Sequence, residues 1–87
     1  METRVAVIGI MVEKEEAVAR LNSVLHEYSS YIIGRMGVPY RVRGINIISV
    51  AVDAPHDIIS ALSGKIGRID GVSAKAAYSK IVGEDHV

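Results

Sequence analysis

The chain has 87 residues, 49% of them hydrophobic, with no cysteine, tryptophan or phenylalanine and only 2 prolines. Such a length makes one small domain burying about 60 to 65% of its unfolded surface, a marginal core unless a second copy or a metal adds to it. The missing cysteines exclude disulfides, thiolate metal sites, iron-sulfur ligation by the chain's own thiolates and a cysteine nucleophile. Ten basic against ten acidic side chains exclude a global field toward nucleic acid or membrane.

The first predicted element is a strand over Arg4 to Val12, apolar on both alternating faces: Val5, Val7 and Met11 on one, Ala6, Ile8, Ile10 and Val12 on the other. Its apolar run is far shorter than the roughly 20 residues that cross a bilayer, and it lacks a basic leader beyond Arg4 or a small-residue cleavage site. A cytoplasmic location without a membrane partner is expected. Glu13, Glu15 and Glu16 then open a helix whose first turn favours acidic residues, with Val18, Leu21, Leu25 and Tyr28 at helical spacing to its end near Tyr28.

Tyr31 to Gly37 predicts a second strand at a sheet edge, ended by Pro39, which cannot donate to a ladder. After the turn at Tyr40 to Gly44, Ile45 to Val52 predicts a third strand, again apolar on both faces. Asp53-Ala54-Pro55 signals a helix start with Asp53 as cap. Ile58, Ala61, Leu62 and Ile66 carry that helix to Gly64 or Gly67. Gly71 turns the chain into a last strand, in which Val72, Ala74, Ala76 and Tyr78 alternate with Ser73, Lys75, Ala77 and Ser79. Residues 1–87 therefore form one domain with an ordered core over about 4–80, and the tail Gly83 to Val87 is expected to fray.

The order βαββαβ predicts a ferredoxin-like α+β fold: a four-stranded antiparallel sheet with two helices on one face. The first and third strands are expected side by side in its centre, parallel to each other. Either Val5, Val7 and Met11 or Ile45, Ile47 and Ala51 then point away from the helices, according to register. An apolar sheet face of several hundred square ångströms is rarely left to water, so the expected partner is a second copy, as a homodimer or higher oligomer through the helix-free face.

Little in the sequence points to catalysis. His26, His56 and His86 stand singly, without the spacing of a metal site, and the glutamates fit a solvated helix start. Ser63-Gly64-Lys65 lacks the earlier glycine and the following Ser or Thr of a phosphate loop, because Ile59 and Ile66 stand there. It reads instead as a helix end where Gly64 and Gly67 allow close packing or the approach of a ligand, and Lys65 meets the negative helix terminus. No catalytic residue, cofactor or metal is assigned. Between Tyr28 and Val52 there is no acidic residue, while Arg35, Arg41 and Arg43 flank the turn. These arginines, with Gly64, Lys65 and Gly67, are the candidate ligand-binding residues, and a small anionic effector is their candidate ligand. The alternative is a weak nucleic-acid-binding dimer using the same three arginines, although without a wider basic face they leave a faint phosphate footprint.

Arg35-Met36-Gly37-Val38-Pro39-Tyr40-Arg41, Ala61-Leu62-Ser63-Gly64-Lys65-Ile66-Gly67 and Ile69-Asp70-Gly71-Val72 resemble the iron-only hydrogenase system regulators, from the first strand to about Lys80. That resemblance implies an ACT-like ferredoxin-like fold. It also implies a regulatory role, including a transcriptional one, or an accessory role beside the hydrogenase system, with a protein of that system as a further partner. It brings no ligand with it. Val12 to Glu16 lacks the Asp-x-Pro-Gly-like turn of amino-acid-binding ACT domains, and the chain lacks the cysteine of nickel sensors. Both helices are needed to cover the sheet, leaving none to read DNA as a helix-turn-helix.

Overall fold

In a computed structural model, residues 2–82 are described, and the side chains of 2–80 among them. The expectations for the tail and for His86 lie outside the described residues. Strand β1 (Arg4–Val12) leads through a 3-10 turn (Glu15–Ala17) into helix α1 (Val18–Glu27), and a second 3-10 turn (Ser29–Tyr31) leads into β2 (Ile32–Tyr40). A tight turn joins β3 (Ile45–Ala54), followed by α2 (His56–Gly67) and β4 (Val72–Val82). The sheet has the order β2-β3-β1-β4, with every neighbouring pair antiparallel.

The ferredoxin-like order is as expected, with one correction: β1 and β3 run antiparallel. Crossing over through α1 makes β2 parallel to β1, and the turn at 41–44 reverses the chain before β3 enters the gap between them. Strand β2 also continues past its expected end at Gly37, through Pro39, to Tyr40. An edge strand has one side free of ladder bonds, so the missing N–H of Pro39 is tolerated there.

Two helix starts differ from the sequence reading. Asp53 caps nothing: β3 runs on to Ala54, Asp53 pairs with Val5, and Pro55 takes the cap position, its carbonyl accepting from the N–H groups of Ile58 and Ile59. Glu13 lies outside the first helix because the chain stays extended at Lys14. There Lys14 lies across Gly71, and its Nζ reaches Asp70 Oδ2 at 2.7 Å, while the Glu13 N–H donates to the Gly71 carbonyl at 2.7 Å. Gly71 has φ 84°, and a Cβ there would stand 2.6 Å from Lys14 Cγ, so this crossing of two loops requires glycine.

One face of the sheet meets both helices. Ala6, Ile8, Ile10 and Val12 of β1 and Ile48, Val50 and Val52 of β3 are buried beneath Leu21 and Leu25 of α1 and Ile59, Leu62 and Ile66 of α2. No polar or charged side chain is buried among the described residues. Each fully buried Leu or Ile contributes about 1.5–3 kcal/mol, so alternation in the strands and the 3.6-residue period in the helices together position everything else.

Candidate functional site

Alternation fixes what the other face displays. With Ala6, Ile8, Ile10 and Val12 turned inward, Val5, Val7 and Met11 point away from the helices, and they are 40%, 43% and 43% exposed. In register beside them, Ile45, Ile47, Ser49 and Ala51 of β3 face the same way, followed outward by Gly34, Met36, Val38 and Tyr40 of β2. The two expected alternatives are therefore both true, because antiparallel register aligns the outward residues of both central strands. Most of the large exposed apolar side chains of the described residues lie on this one face. Among the described residues, Asp53, opposite Val5, and Lys75, opposite Gly9, bring charge to this face. A shallow depression of about 280 Å³ lies where the small residues Gly34, Ser49 and Ala51 meet Met36.

The six candidate ligand-binding residues do not form one cluster. Arg41 and Arg43 sit exposed in the β2–β3 turn, which is held by bonds from the Arg43 N–H to the Tyr40 carbonyl and from the Gly44 N–H to the Arg41 carbonyl, with Gly44 at φ 67°. Arg35 stands five residues before Tyr40, about 16 Å of strand away. It lies opposite buried Val50, hence on the helix side, where its Nη2 donates to Asn22 Oδ1 at 3.2 Å. Lys65 reaches across from α2 to α1, pairing with Glu27 at 3.2 Å and lying 5.2 Å from the centre of the Tyr28 ring. The hydrogen bond with Glu27, foremost, holds its pKa above the ordinary lysine value. Gly64 packs near the Arg68 guanidinium, whereas Gly67 has open space around it.

The histidines are also separate. His56 stacks on Tyr78 with ring centres 5.2 Å apart, and the same tyrosine ring lies 5.2 Å from the Arg4 guanidinium, whose Nη2 donates to the Ser79 carbonyl. His26 is exposed on α1. No group of three His, Asp or Glu side chains among the described residues is placed to hold a metal ion. None of the described helices is long and apolar enough to cross a membrane. Sequence reasoning missed Asp53 and Lys75 as members of the open face. The strict alternation of both strands was the signal that places them there.

A family model described as "Iron-only hydrogenase system regulator, putative", the TM1266-like family, matches residues 4–76. The solved structure of the uncharacterized protein TM1266 from Thermotoga maritima is similar with a TM-score of 0.86 and 37% identity, over 90% of this chain and 99% of that one. A formyltetrahydrofolate deformylase from Pseudomonas putida KT2440 is similar with a TM-score of 0.60 at 14% identity, over 84% of this chain but 28% of that one, which speaks to fold alone. No curated protein matches the sequence.

Proposed function

The chain belongs to the TM1266-like family of iron-only hydrogenase system regulators, and from that premise we propose that it works as a non-enzymatic, ACT-like homo-oligomer joined through the open face of its sheet. The observation that carries this reading is the apolar surface made by Val5, Val7, Met11, Ile47, Met36, Val38 and Tyr40 on the side without helices. A four-stranded sheet nine residues long offers about 19 by 30 Å, or about 570 Å² in projection, comparable with the ~800 Å² per partner of a standard interface.

The charges on this face fit a second copy. Asp53 and Lys75 flank Val7 symmetrically, one strand to either side and two residues up or down. A two-fold axis over Val7, lying in the plane between two facing sheets, brings Asp53 of each copy against Lys75 of the other. Regulation then acts either by a small anion that alters this assembly or by a protein of the hydrogenase system that docks on it. The division of Arg35 from Arg41 and Arg43 narrows the basic surface open to nucleic acid, so protein contact is the better supported service.

Size-exclusion chromatography with light scattering tests the reading. The expected mass is a multiple of 9.4 kDa, and Val7→Lys, whose added charge faces outward and spares the core, is expected to give the single-chain mass. A wild-type chain that remains single at all concentrations overturns the proposal.

A further inference from the structure

On the opposite side of the sheet, α1 and the start of β2 leave a groove of about 340 Å³ lined by Asn22, Leu25, His26, Ser29, Ile32 and Arg35. Its composition is uneven in a useful way. Ile32, partly buried where it packs against the core, gives the groove an apolar wall, and Leu25, buried beside it, closes the floor. Around them stand four polar groups from one short stretch of chain: a carboxamide, an imidazole, a hydroxyl and a guanidinium. A concave apolar surface with a few convergent polar groups is the usual make-up of a small-molecule site.

Arg35 decides the chemistry. Its Nη2 donates to the neutral Asn22 Oδ1 at 3.2 Å, and among the described residues its guanidinium forms no ion pair. A positive charge oriented by a neutral amide keeps its remaining N–H donors and its full charge for an anion, and guanidinium matches the two oxygens of a carboxylate. The nearest acidic side chain along α1, Glu27, is committed to Lys65 on α2. His26 supplies an N–H in either tautomer and Ser29 a hydroxyl. A bare inorganic anion leaves the Ile32 wall uncovered, whereas a carboxylate with a short branched tail covers it.

We propose that this groove binds a small organic monocarboxylate, its carboxylate on Arg35 and its apolar tail against Ile32. One chain supplies every group, so the site does not depend on the oligomer proposed above. The test is a titration of the ¹⁵N-labelled full chain with isobutyrate, inorganic phosphate and isobutylamine, following the backbone amide resonances. Isobutyrate is expected to give saturating shifts confined to residues 22–35. Arg35→Gln is expected to weaken that binding by about tenfold to a hundredfold, the range for losing a charge-assisted hydrogen bond, while Arg41→Gln/Arg43→Gln leaves it unchanged. Amides outside the groove serve as the check that each variant is folded. Four results overturn the proposal: no saturation with isobutyrate, equal binding of phosphate, equal binding of isobutylamine, or full binding by folded Arg35→Gln. A single-chain protein that still binds isobutyrate leaves this site standing while the oligomer falls.

Discussion

Three glycines respond differently to one added methyl group, and the reasons are local. At Gly71 the backbone is left-handed and Lys14 already fills the space of a Cβ, so both conformation and packing oppose alanine. Gly71→Ala is expected to lose about 1–2 kcal/mol from the conformation alone, with the displaced Lys14 adding to it, as read from urea denaturation. Gly44→Ala, with φ 67° and open space, carries only the conformational part. Gly67 is helical with nothing near it, so Gly67→Ala is expected to gain about 0.5 kcal/mol by limiting the unfolded chain. The ion pair beside Gly71 has its own pH signature. The hydrogen bond between Lys14 and Asp70, then their opposite charges, lowers the Asp70 pKa and raises that of Lys14. Stability from Asp70 is therefore present above its ordinary carboxylate pKa and lost as pH falls through the lowered value; that from Lys14 is lost as pH rises through its raised value. Both side chains are largely in water, so the effect is small and screened by salt. Urea midpoints of wild type and Asp70→Asn are expected to differ at neutral pH and to converge in acid. A gap that persists below the carboxylate range would assign it to something other than this pair.

At the scale of elements, α2 carries a large share of the cohesion because Ile59, Leu62 and Ile66 are each buried along one side of it. Leu62→Ala is expected to lose about 2–5 kcal/mol. For 87 residues the whole domain holds only about 4–13 kcal/mol, so thermal unfolding should move sharply downward, whereas Ser60→Ala on the exposed side should leave it almost unchanged. The helices and strands themselves were legible from period. Apolar spacing in Val18 to Tyr28 and Ile58 to Ile66 reports helix, and alternation in Val72 to Tyr78 reports strand. Element ends were less legible. Strand β2 survives Pro39 because it lies at the edge, and β3 absorbs Asp53 because β1 has a partner waiting for it at Val5. Both outcomes depend on neighbours distant in sequence, which local propensity does not contain.

At the scale of the whole molecule, the proposed assembly through the open face makes a prediction of its own. If the assembly joins Asp53 to the partner's Lys75 across a two-fold axis, Asp53→Lys should shift the light-scattering mass toward a single chain, and adding Lys75→Asp should restore it. Failure of the double exchange to restore the mass would refute this register while leaving the apolar face as the seat of assembly. The contrast between the two candidate sites is also a matter of scale. Arg35 looked like part of a three-arginine turn when read along the chain, because only five residues lie between it and Arg41. Extended strand turns that spacing into distance, and alternation sends Arg35 to the helix side, beside Asn22 on α1. His26 and Ser29 carry no motif, and only the packing of α1 beside β2 brings them to the lining of the proposed groove.

By itself, the sequence determined the βαββαβ order, the absence of thiolate chemistry and the presence of two central strands with apolar residues on both faces, since each follows from residue type and local period. Motifs in the same chain also pointed to the family that the comparisons then identified. Tertiary structure alone decided that β1 and β3 are antiparallel, that both outward apolar sets share one face, and that Arg35 leaves the company of Arg41 and Arg43. The reason is the same in each case: strand direction, register and the packing of a helix over an edge strand are set by pairings between residues far apart in the chain.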